Sequence, residues 1–75
     1  MVSMINEHDV VRLVREIPAI GLSKDQVGVV VFIYTSDNLP AGFEVEFFND
    51  AGETIAVETI NIDDVTLIEK AKDNS

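Results

Sequence analysis

The sequence predicts an all-β domain of five short strands closed into a small barrel. Branched apolar runs recur at strand length, over 10–14, 27–34, 43–47, 54–60 and 65–68, and turn-forming residues separate them. Hydrophobic residues make up 47% of the 75 residues, enough for a packed core rather than a disordered chain. Five short strands in so few residues must close on themselves to hide their edges.

Residues 1–8 read as a flexible N-terminal leader, with Ser3, Asn6, Glu7 and His8 breaking any periodicity. Either Met1 or Met4 fits as the start. The barrel is expected over 9–68. Its most telling stretch is Asp9 to Ile33, a strand, a loop built around Pro18 and Gly21, then Val27-Gly28 opening a second strand. In the first strand Val11 and Leu13 face one way, and Val10, Arg12 and Val14 the other. Val10, Leu13, Val14 and Ile17 also match a helical stripe. The valine content and the following Pro18 favour a strand.

Arg15 to Gln26 forms a large loop. Val27 to Tyr34 is apolar on both faces, as in a strand bent between two layers, and Gly28 suits a bulge or a close backbone approach. Ser36 to Gly42 reads as a connecting loop. Phe43 to Phe47 alternates cleanly, with Phe43, Val45 and Phe47 inward and Glu44 and Glu46 outward. Asn49-Asp50-Ala51-Gly52 is a hairpin turn. Thr54 to Ile60 returns as a β-branched strand. Asn61 to Asp64 forms one short helical turn, in which Asp63-Asp64 caps free N–H groups. Val65 to Ile68 is the last strand, and 69–75 a polar, frayed tail. The expected core is Val11, Leu13, Leu22, Val27, Val31, Phe43, Val45, Phe47, Ile55, Val57, Val65 and Leu67.

Composition excludes several chemistries. There is no cysteine, so disulfides, thiolate metal sites and cysteine nucleophiles are absent. That fits a cytoplasmic setting. No apolar run reaches the length of a membrane span, and no secretory signal pattern opens the chain. The single histidine, His8, has no motif with Ser3, Ser23 or Ser36 that resembles a catalytic triad. No phosphate-binding glycine loop and no zinc motif occurs. We therefore expect no catalytic residue, no cofactor and no metal site.

Charge is the second strong signal. Fourteen Asp and Glu face five Lys and Arg, for a formal net charge of −9. From Asp37 to Asp64 there are eight acids and no Lys or Arg. Such a surface repels nucleic-acid phosphate and attracts basic protein surfaces. It also keeps a small protein soluble. Arg12, Arg15 and Lys24 could cluster at one end of the barrel, but three cations make a weak nucleic-acid footprint.

The residues Asp9-Val10-Val11, Ile17-Pro18, Gly21-Leu22, Val27-Gly28 with Val29-Val30-Val31, Phe43-Glu44-Val45-Glu46-Phe47 and Thr54-Ile55-Ala56-Val57 resemble the bacterial family catalogued as domain of unknown function 4926. The resemblance runs from about Asp9 to Leu67. It implies an SH3-like five-stranded barrel. It also implies kinship with the small partners of toxin–antitoxin or immunity pairs. The first half is similar to barrel segments of nitrile hydratase β-type chains and of ribosome-associated KOW modules. The acidic charge departs from the KOW type.

The favoured function is an acidic protein-binding module, an antitoxin- or immunity-like partner of a basic protein. The alternatives are a structural or assembly barrel of a larger enzyme subunit, and a KOW-like RNA-associated module. Glu44 and Glu46, joined across the hairpin by Glu58, would form the carboxylate patch. Tyr34, Phe48 and Ile20 are candidate apolar anchors, each also readable, and more simply, as core. Homodimerisation by edge pairing is a further option.

Overall fold

The structure, a computed structural model, describes residues 4–72. Five strands form one antiparallel sheet: β1 (Val10–Leu13), β2 (Val27–Ser36), β3 (Leu39–Phe48), β4 (Thr54–Asn61) and β5 (Val65–Glu69). Their order is β4-β3-β2-β1-β5. This is the expected all-β, SH3-like barrel arrangement, except that no ladder joins β4 to β5, so the sheet keeps two edges instead of hiding them. The long β2 pairs with β1 at its start and with β3 along its length. A 3-10 turn, Ile62–Asp64, carries the chain from β4 to β5.

Period-two alternation decides what is inside. Val11 and Leu13 of β1, Val30 of β2, Phe43, Val45 and Phe47 of β3, Ile60 of β4 and Val65 of β5 form the core with Leu22. Four residues expected there are exposed instead: Val27, Val31, Ile55 and Val57. The cause is strand parity. Gly28 and Val30 face inward on β2, which turns Val27 and Val29 outward. Val31 is the extra residue of a bulge, because Val30 pairs with Val45 and Phe32 with Glu44. On β4 the inward set is Ala56, Glu58 and Ile60, in register with Phe47, Val45 and Phe43. Leu67 is only half-buried.

The expected loop over 36–42 is mostly strand. Only Asp37 and Asn38 make the turn, with φ of 53° and 65°. Asp and Asn tolerate left-handed φ, so two residues suffice for a primed hairpin turn. Pro40 lies in β3 opposite Thr35, beside a break in register, where a missing N–H costs least.

The loop between β1 and β2 is folded down rather than open. Ile17 and Leu22 exchange backbone hydrogen bonds of 2.8 and 3.2 Å. The 3-10 turn Pro18–Ile20 between them ends at Gly21, whose φ of 70° suits glycine. This drives Leu22 into the core and packs Ile17 and Ile20 against it.

The segments read as leader and tail are bonded together within the described residues. Asp9, 1% exposed, accepts from Asn6 N–H at 2.8 Å, Lys70 Nζ at 2.7 Å and Ala71 N–H at 2.7 Å. Lys70 Nζ also donates to Met4 O, and His8 N–H donates to Val30 O. A buried carboxylate needs such partners. The choice between Met1 and Met4 and the end of the tail lie outside the described residues. No helix among those described is long and apolar enough to cross a membrane.

Candidate functional site

The outer face of β2, β3 and β4 gathers exposed aromatic rings and carboxylates. Register builds it in rows. Phe32 stands opposite Glu44, and Glu44 opposite Thr59; Val29 stands opposite Glu46, and Glu46 opposite Val57. Paired residues of an antiparallel ladder share a face, so all six point outward. Phe32 and Tyr34, two apart on β2, pack edge to face with centroids 5.0 Å apart and planes at 69°. They remain 49% and 41% exposed.

Hydroxyls hold the two carboxylates. Thr59 Oγ1 donates to Glu44 Oε1 at 2.8 Å, and the Tyr34 hydroxyl reaches Glu44 Oε2 at 3.4 Å. Thr54 Oγ1 donates to Glu46. Neither acid has a cationic partner among the described residues. Three ion pairs occur there, Arg12–Asp25 at 2.8 Å, Arg15–Asp64 at 3.1 Å and Lys70–Asp9 at 2.7 Å. They occupy three of the five cations in the chain. Two of the three cations expected at one end of the barrel, Arg12 and Arg15, are therefore each bound to an aspartate.

The other anticipated positions scatter. Glu58 does not join Glu44 and Glu46, because it pairs with Val45 and so projects from the opposite side of β4. Ile20 packs against the core. Phe48, half-buried, lines a separate cleft of about 330 Å³ with Lys24, Asp25, Gln26, Val27, Asn49 and Asp50. There Gln26 Nε2 donates to Phe48 O at 3.3 Å. Phe32 was not anticipated. Its signal was present, since it shares strand parity with Tyr34.

The turn between β4 and β5 is capped by a residue other than the expected one. Asn61 accepts from Asp63 N–H at 2.8 Å, while Asp64 pairs with Arg15. Among the described residues no three His, Cys, Asp or Glu stand together as metal ligands.

Burial pushes Asp9 upward, but the Ala71 and Asn6 N–H groups and the Lys70 ammonium outweigh it and hold the carboxyl below its ordinary value.

Residues 7–67 match the family model described as Domain of unknown function (DUF4926). The chain belongs to that family. The DUF4926 span takes in β1 to β4 and most of β5, including the whole aromatic and acidic face. It stops short of Lys70 and Ala71, the partners of Asp9. No curated protein and no solved structure matches the chain.

Proposed function

We propose that this DUF4926 protein is a non-catalytic protein-binding module whose outer β2–β3–β4 face docks a basic partner. The reading rests on a single feature, exposed rings and cation-free carboxylates presented together on one rigid face. Lys and Arg are drawn to both parts. A guanidinium stacks over aromatic rings and accepts a carboxylate in charge-assisted hydrogen bonds. Hydroxyl bonds from Thr54, Thr59 and Tyr34 orient the acids beforehand, which lowers the ordering cost of binding. The net charge of −9 steers a basic protein toward the surface and repels nucleic acid.

The partner class that fits best is a basic protein that itself binds phosphate, such as a nuclease toxin. The module would occlude its working surface as an antitoxin or immunity protein does. The cytoplasm suits a cysteine-free module of this kind. The test is recovery of the tagged protein from its host at low and moderate salt, beside the E44Q/E46Q variant. We expect one basic protein at stoichiometric yield, lost at moderate salt and reduced at least about tenfold in the variant. A partner indifferent to both changes would overturn the proposal.

A further inference from the structure

Building on that reading, we propose that the free edge of β4 receives an extended basic segment of the partner as an added strand. β4 ends the sheet order, with β3 on one side only. No backbone hydrogen bond from a turn or loop involves residues 54–61, so no described loop pairs with this edge. A sheet edge presents a row of unpaired N–H and C=O groups, and proteins protect it with Lys, Pro or short length. β4 has eight residues, TIAVETIN, without Lys, Arg or Pro. Its one charge, Glu58, projects from the inner side. On its outer side Val57 and Thr59 stay exposed.

The occupant follows from the rows already described. A strand added to β4 would extend the series Phe32–Glu44–Thr59 and Val29–Glu46–Val57 by one residue each. A residue beyond Thr59 would stand two strand spacings from Glu44, about 10 Å. Lys or Arg spans that gap over the small Thr59 side chain to meet the Glu44 carboxylate. Two residues along, an apolar side chain would cover Val57. The fitting partner is therefore an extended segment with cationic and branched apolar residues on its shared face. A second copy of this chain fits poorly, because each copy carries −9 and like charges would meet across the edge. β5 is the other free edge, but it has five residues and is followed by Lys70 and Lys72.

The probe is a synthetic eight-residue peptide, Lys-Thr-Val-Thr-Lys-Thr-Val-Thr, which sets Lys and Val alternately along one face of a strand, titrated into the isotope-labelled full chain. Its comparator is the same peptide N-methylated at every second backbone nitrogen, which keeps charge and shape but removes strand pairing. We expect slowed amide exchange and the largest shifts across 55–59, with the methylated peptide at least tenfold weaker. Equal affinity of the two peptides, both weakened by E44Q/E46Q, would overturn edge pairing and leave docking on the acidic face standing. Failure of both to bind would overturn both readings. A peptide-free dimer that protects 55–59 would overturn the proposal by assigning the edge to a second copy.

Discussion

At Gly28 the backbone of β2 passes so close to β3 that a Cβ would stand 2.6 Å from Val45 Cγ1 and 2.8 Å from the Glu46 carbonyl oxygen. The side chain of Val45 can turn, but the carbonyl belongs to the ladder. We expect G28A to lower stability by about 1–3 kcal/mol, the usual cost of overpacking. The urea midpoint should fall with an unchanged slope. An unmoved midpoint would mean that β3 shifts aside freely. Asp9 is the second residue whose surroundings dictate its behaviour. Its carboxyl is held below the ordinary value, so folding favours the ionised form. That contribution is fully present above the unfolded carboxyl pKa, about 3.9, and is lost as pH falls through the lower folded value. D9N should therefore flatten the acid limb of the stability–pH curve, and an unaltered limb would assign acid sensitivity elsewhere. D9A should cost about 1–3 kcal/mol, because it removes three hydrogen bonds to a charged acceptor.

Elements are where local chemistry and tertiary context trade places. The β2–β3 hairpin depends on Asp37 and Asn38, both at positive φ. Replacing Asn38 by Val puts a branched side chain where left-handed geometry costs roughly 1–2 kcal/mol. Thermal unfolding should record that loss, whereas N38G should be neutral or better. The strict polar–apolar alternation of Phe43 to Phe47 made β3 readable from sequence, including the outward pair Glu44 and Glu46. Val27 to Tyr34 offered no such contrast. Valine on both sides conceals which side is inside, and the bulge at Val31 changes the parity part-way. Thr54 to Ile60 misled for a related reason. Its branched residues suit a strand on either face, so Ile55 and Val57 looked like core although Ala56 and Ile60 point inward. Glu58 was misplaced by the same one-residue error. The hairpin between Ser36 and Gly42 was hidden because Pro40 and Gly42 resemble loop residues, while the ladder accommodates them at a break in register.

Over the whole molecule, electrostatics and chain closure dominate. Three of five cations are spent on internal partners, which leaves most of the fourteen acids facing one another through solvent. Self-repulsion of this kind destabilises a compact state. Raising sodium chloride from about 10 to 150 mM shortens the screening length roughly from 30 to 8 Å, and Tm should rise by a few degrees. A fall would mean that the three ion pairs outweigh the general repulsion. The fold class itself was legible from strand count, length and composition. Asp9 as a buried anchor was not, because an acid before an apolar strand looks like ordinary surface until Asn6, Lys70 and Ala71 meet on it.

That meeting makes the stretch from residue 4 to residue 70 almost a loop. Residues 4 and 70 touch through the Lys70 ammonium and the Met4 carbonyl, so a linker of a few residues would join them at little entropic cost. The chain could then be cut in the exposed turn at Asp50–Gly52 without severing any strand. Such a rewired molecule would begin at β4 and end at β3, two strands that are now consecutive. It would keep every pairing described above while reversing the order in which the two halves of the sheet leave the ribosome.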